Sequence, residues 1–363
     1  MRYRTILPLC ALLLGGCGDS TRPVTIAAAG PWTESFGALT KQGVELAVDE
    51  INDAGGIDGR RLLLIERDDQ GSGARAAAVA QEFVANHDIV GVVGHVTSGA
   101  MVAAAKVYDG QLAAVATSAT SPDLTGISPW VFRIISSDST NGEVIARFAS
   151  AVGHRRAAIL YENDAYGRGL ADAFRRSFAG DVVSMDPISG GTTDLEPYIA
   201  YYKTRHPDIV FVAGVDVTGI ATLREAHRQH LNVDFIGGDG WSTITADTVA
   251  SEGAYVGTPF TAEDPRPEVR RFVAAFRKKY GIVPDANAAL GYDATRLLAR
   301  AIGEAGDDRA RVRRYLASLT ERTEYAGVTG PIRFLPTGDP ARPAFHITRV
   351  HRGALLIADG GGR

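Results

Sequence analysis

The stretch VTIAAAGPWTESFGALTKQGVELAVDEINDAGGIDGRRLLLIERDD, from Val24 to Asp69, decides the fold. Small or apolar residues recur at Phe36, Leu39, Gly43, Leu46, Ala47 and Ile51, three and four apart, which predicts a helix with one buried face. Gly55 and Gly56 end it, because glycine tolerates the left-handed backbone found past a helix terminus. Val24 to Ala29 and Leu62 to Ile65 are nearly unbroken apolar runs, as strands covered on both faces require. Strand, helix and strand in this order form a βαβ unit with parallel strands.

The alternation continues. Ile89 to Val93, Leu112 to Ala116, Ala157 to Tyr161, Asp181 to Met185, Ile209 to Ala213 and Phe235 to Ile236 read as strands. Gly142 to Val152 and Gly167 to Phe178 carry helical periodicity between them, as do Glu268 to Tyr280 and Ala286 to Gly303 later on. Ile332 to Phe334 and Phe345 to Val350 close the pattern as strands. The chain therefore reads as α/β, a doubly wound parallel sheet built twice. Its 363 residues exceed the usual size of one core, so two lobes are expected.

A hydrophobic fraction of 45% with 22% charged residues is ordinary for a globular protein. At the start, Arg2 and Arg4 precede an apolar run from Ile6 to Leu14, then Gly15, Gly16 and Cys17. That is the pattern of a signal peptide over residues 1–16, too short for a membrane span. Leu14-Gly15-Gly16-Cys17 resembles a bacterial lipobox, in which Cys17 becomes the lipid-bearing first residue of a short tether over 17–23. Cys10 would leave with the signal, so no thiol remains for a disulfide, a metal or a nucleophile. The formal charge of −4 becomes −6 without Arg2 and Arg4, which argues against nucleic-acid binding.

Gly30-Pro31, Phe36-Gly37, the AVDEIN of 47–52, the AGGIDG of 54–59 and Asp68-Asp69 stand in a distinctive order and spacing. In these residues, and in further matches to about residue 350, the chain resembles the leucine/isoleucine/valine-binding protein family. These are the periplasmic amino-acid receptors of ABC importers. The resemblance implies a type I periplasmic-binding fold: two lobes joined by three crossovers near residues 136, 258 and 329. It then divides the chain into an N-terminal lobe (24–136 and 259–329) and a C-terminal lobe (137–258 and 330–357). It also implies an extracytoplasmic, lipid-anchored protein that delivers a small amino acid or related zwitterion to a membrane permease and its ATPase. No cofactor is implied.

Three loops after strands carry the candidate site. Gly94 to Gly99 opens a helix, whose free N–H groups and positive dipole end suit a carboxylate. Ser98 could donate its hydroxyl there or simply cap the helix; the resemblance favours the carboxylate, with Thr97 beside it and His95 structural. Ala116 to Asp123 supplies hydroxyls at the C-terminal end of a strand, where open α/β sheets bind ligands. The resemblance puts Ser118 and Thr120 where the ligand's carboxylate and ammonium are held. In Gly237-Gly238-Asp239-Gly240-Trp241, Asp239 is a solvated turn residue or the charged partner of a buried ammonium. The resemblance selects the second, and it places Tyr166 in the pocket. Trp32, Phe36 and Trp241 complete the aromatic candidates, each of which could equally be core.

One departure bears on specificity. Ala213-Gly214-Val215-Asp216 stands where amino-acid receptors carry an aromatic facing the ligand. Val215 neither stacks nor donates, and Asp216 brings a second acid towards the cleft, so a small, polar or cationic amino acid is expected over leucine. Asp216 could instead cap the following helix. Enzymatic motifs are absent: no GxGxxG, no P-loop, no HExxH and no GxSxG. His227 and His230 lack a further ligand for a metal and read as solvent-facing. A sensor module feeding a signalling partner, and a secreted hydrolase using the cleft hydroxyls, are the competing readings. The anchor is directly testable. Cys17→Ser is expected to abolish acylation and release the folded protein into the soluble extracytoplasmic fraction; wild-type protein found already soluble and cleaved elsewhere would contradict it.

Overall fold

Two mainly parallel sheets organise the chain, of which the computed structural model describes residues 22–342 and 344–358. Cys17, the leader and most of the tether lie outside these residues. In chain order, the first lobe begins with β1 (Val24–Gly30), α1 (Ser35–Asp53), β2 (Leu62–Asp68), α2 (Gly73–Ala85), β3 (Ile89–Gly94) and α3 (Ser98–Tyr108). β4 (Ala114–Ala116) and β5 (Val131–Arg133) follow. The second lobe runs through α4 (Asp138–Ala151), β6 (Arg156–Glu162), α5 (Ala165–Ser177), β7 (Asp181–Ile188) and α6 (Glu196–Arg205). It continues with β8 (Ile209–Ala213), α7 (Asp216–Arg228), β9 (Asp234–Gly237) and β10 (Tyr255–Thr258). The chain then returns to the first lobe with α8 (Pro267–Tyr280), α9 (Ala286–Ala305), α10 (Arg309–Ala317), β11 (Tyr325–Gly327) and β12 (Gly330–Ile332). It ends in the second lobe with β13 (His346–His351) and β14 (Ala354–Ile357).

The first sheet has the order β2-β1-β3-β4-β5 and is parallel throughout. The second has the order β14-β13-β10-β9-β8-β6-β7, with β13 and β14 antiparallel at one edge. Apolar strands are buried on both faces by helices, as every residue of β1, β3 and β8 illustrates. Gly43 of α1 and Gly291 of α9 let these two helices touch backbone to backbone. A Cβ on Gly43 would stand 2.0 Å from the Ala288 carbonyl oxygen. The left-handed turn after α1 is present, with φ of 102° at Gly55 and 79° at Gly56.

The third crossover lies later than residue 329. The Val328 and Thr329 amides donate to Asp293 of α9 at 2.9 and 2.8 Å. Ile332 and Phe334 are part of the first lobe's core, and the Phe334 ring sits 4.9 Å from that of Phe132. Arg133 donates to Asp339 at 2.6 Å. The chain therefore stays on the first lobe to Asp339, and β12 pairs only with β11 rather than joining the second sheet. An apolar three-residue segment carries no mark of which lobe covers it, so the sequence misplaces this boundary.

The close α1–α9 crossing makes a quantitative expectation. Gly43→Ala forces two backbones apart in a packed core and is expected to destabilise the protein by about 1–3 kcal/mol. Denaturant titration of the variant beside wild type measures it, and an unchanged midpoint would contradict the packing described.

Candidate functional site

The C-terminal ends of strands from both sheets converge on one cavity of about 440 Å³ between the lobes. From the first lobe come Phe36 after β1, Thr97 and Ser98 after β3, Ser118 after β4, and Asn287 in the first turn of α9. From the second come Glu162 at the end of β6, Tyr166 in α5, Val215 after β8 and Asp239 after β9.

On the first lobe the wall is a helix start. Ser98 is the first residue of α3, and its Oγ accepts hydrogen bonds from the Thr120 and Ser121 amides at 3.2 and 3.1 Å. Its hydroxyl proton is left for another acceptor. Among the described residues the buried Thr97 hydroxyl has no partner either. Together with the free amides of the first turn of α3, this makes a site for an anion. Arg133, fully buried, holds the neighbouring loop by donating to the Thr120 and Ser121 carbonyls, both at 2.9 Å. Ser118 donates to Asn287 Oδ1 at 2.9 Å.

On the second lobe the wall is acidic. Asp239 is 9% exposed, and the Tyr166 hydroxyl approaches its Oδ1 at 3.4 Å while accepting from the Gly240 amide at 3.0 Å. Burial pushes the Asp239 carboxyl up to about 7. Behind it lies Asp138, the first residue of α4, wholly buried beside the Thr120 side chain. Burial, and then the charge of Asp239, push the Asp138 carboxyl well up. Glu162 is also buried and its carboxyl is raised, chiefly by burial. Among the described residues, no lysine, arginine or histidine lines the cavity.

Several expected residues stand elsewhere. Thr120 is fully buried behind the wall, and it shapes the site through its backbone: its amide binds Ser98 and its carbonyl accepts from Arg133 and Asp138. Trp32 packs against the first lobe's core. Trp241 is fully buried between β9 and α7, against Gly237 and Gly219. Asp216, the first residue of α7, accepts from Ser35 of the other lobe at 3.1 Å and from the Val217 amide at 2.9 Å, so it bridges the lobes and does not line the cavity. The second buried acid on the cavity wall is Glu162. His95 is buried between Asp69 at 2.6 Å and Tyr108 at 3.0 Å, and His227 and His230 are exposed. Glu162, Asn287 and Asp138 were not singled out from the sequence. Glu162 stands four residues before Tyr166, and nothing local distinguishes it from a surface acid at a strand end.

The raised carboxyls dictate a pH dependence. A group protonated in the folded chain but ionised in the unfolded one stabilises below its unfolded value, and that stability is lost as pH rises through the folded value. For Asp239 the window runs from about 4 to about 7. Ligand-free protein is thus expected to lose stability between pH 5 and 7, and Asp239→Asn to flatten the slope. Denaturant midpoints across that range measure it; equal slopes would contradict it.

A family model described as periplasmic binding protein matches residues 23–354. The Leu/Ile/Val-binding protein BraC3 of Rhizobium johnstonii is 30% identical over 351 residues, covering 93% of this chain and 94% of that protein. An ABC transporter substrate-binding protein from Desulfitobacterium hafniense, solved in complex with Leu, is 32% identical with a TM-score of 0.81, covering 93% and 100%. The branched-chain amino acid transporter substrate-binding protein LivJ from Streptococcus pneumoniae, in complex with isoleucine, is 26% identical with a TM-score of 0.86, covering 93% and 99%. With two doubly wound lobes facing each other across a cavity at their strand ends, this chain belongs to the periplasmic binding protein family.

Proposed function

We propose that the protein is the substrate-binding component of an ABC importer and that it captures an α-amino acid in the interlobe cavity. The ligand carboxylate meets Ser98, Thr97, the main chain of Ser118 and the amides at the start of α3; its ammonium meets Asp239, beside Tyr166. The lobes close about the three crossovers and present the loaded form to a permease, with Cys17 holding the mature protein at the membrane outside the cytoplasm. The observation that carries this reading is the polarity of the cavity. A positive helix end lies on one lobe, and a shielded carboxylate without a cation lies on the other. A zwitterion supplies both missing charges. The names of the relatives support the amino-acid class.

The two ends of the ligand have different energetic weight. Removing one partner of a desolvated charge pair costs about 2–5 kcal/mol, whereas losing a neutral hydroxyl bond costs about 0.5–1.5 kcal/mol. Asp239→Asn is therefore expected to weaken amino-acid binding by one to three decades more than Ser98→Ala, roughly 1.4 kcal/mol per decade. Calorimetric titration of both variants tests it. If Asp239→Asn binds like wild type, the ammonium site is elsewhere and the amino-acid reading loses its support. The same titration series bears on specificity: leucine, isoleucine and valine are expected not to be the tightest ligands, because Val215 offers no aromatic face.

A further inference from the structure

We infer that the ligand carries a second positive charge on its side chain and that Glu162 receives it. This deepens the amino-acid reading and rests on it. Four carboxylates border the cavity, those of Glu34, Glu162, Asp164 and Asp239, and one α-ammonium answers only one of them. Glu34 and Asp164 are exposed, so water solvates them, and Asp164 also caps α5 by accepting from the Gly167 amide at 2.7 Å. Glu162 is different. It is 3% exposed, it lines the cavity, and no cation pairs with it among the described residues.

Its two oxygens are used unequally. Oε1 accepts from the Thr218 hydroxyl and from the Val215 amide at 3.4 Å, which ties it to the start of α7. Among the described residues Oε2 accepts nothing, and it stands 4.0 Å from where a Cβ would sit on Gly190, a residue of the cavity wall. The absence of side chains at Gly190 and Gly191 leaves the approach to this oxygen open. Oε1 is thus committed to the protein, while Oε2 opens onto the cavity, where a donor on a bound ligand can reach it in place of water.

The sheet sets the length of that donor. Strands β9, β8 and β6 are adjacent, and Asp239 follows the first while Glu162 ends the third. Neighbouring strands lie about 4.8 Å apart, which sets the two strand ends that carry these acids about 10 Å apart. Hydrogen bonds of about 2.8 Å at each end leave roughly 4–6 Å between two ligand nitrogens. A short diamino acid spans that distance, with its methylenes over Val215, which follows β8 between the two acids. A branched aliphatic side chain in the same place would cover Oε2 and donate nothing to it.

L-Ornithine and L-norvaline differ by one terminal amine and separate the alternatives. Calorimetry of the full chain is expected to find ornithine tighter by about tenfold or more. Glu162→Gln should bring the ornithine-to-norvaline ratio close to one, and Glu162→Asp should restore part of it. Norvaline binding as tightly as ornithine to wild type would overturn the inference, as would an undiminished ratio in folded Glu162→Gln. The wild-type comparison decides even where the variant fails to fold. Binding of norvaline or leucine without ornithine removes this inference alone, whereas binding of no α-amino acid at all removes the proposed function with it.

Discussion

A carboxylate enclosed between two sheets, with no cation in reach, exists either protonated or paired with a charge brought in from outside. Asp239 is in that position, and the rest of the site follows from it. Burial raises its carboxyl to about 7, and its charge, after burial, pushes up the carboxyl of the wholly buried Asp138 behind it. Across the cavity the start of α3 offers the opposite sign. The fold holds the two ends apart by placing each at the C-terminal edge of its own sheet, where strands stop and loops turn outwards. A ligand with one positive and one negative group then replaces a cost on both lobes with a pair of charge-assisted bonds.

The two walls are built with different rigidity. On the first lobe Ser98, the Thr120 and Ser121 amides, Arg133 and Asp339 form a continuous chain of hydrogen bonds, so the anion site is preorganised. Because Asp339 belongs to the third crossover, the same chain fastens the hinge to the carboxylate end of the site. Among the described residues the side-chain links between the lobes include Ser35 to Asp216, Ser242 to Asp285, Asn287 to Ser242 and Thr261 to the Leu355 carbonyl, each with at least one neutral partner. Each such bond contributes about 0.5–1.5 kcal/mol, little enough that a ligand bridging both walls can decide whether the lobes stay together.

The fold was legible where its signals are local and long. Val24 to Asp69 shows strand, helix and strand by apolar run and by period, and the αL glycines mark the end of α1. Segments of three or four residues such as β5 and β10 are not legible, since so short a run has no period, and the last hinge lies beyond its expected position near residue 329 for the same reason. Phe36, Thr97, Ser98, Ser118, Tyr166 and Asp239 stand at the cavity because each sits in or just after a strand-end loop, a position sequence reading recognises. Trp32 and Trp241 do not, because an aromatic after a strand looks the same whether it turns to the core or to the cleft. Glu162 and Asn287 come from opposite lobes and meet only in the folded chain, so no spacing announces them.

The central claim is that the cavity takes a molecule carrying both an amine and a carboxylate. Native mass spectrometry of protein purified from its own cells, followed by release and identification of what co-purifies, tests it most directly. The account predicts a small amino acid bound one to a chain. Recovery of a carboxylate without any amine, such as an aromatic acid, would leave Asp239 shielded and unpaired and would contradict it.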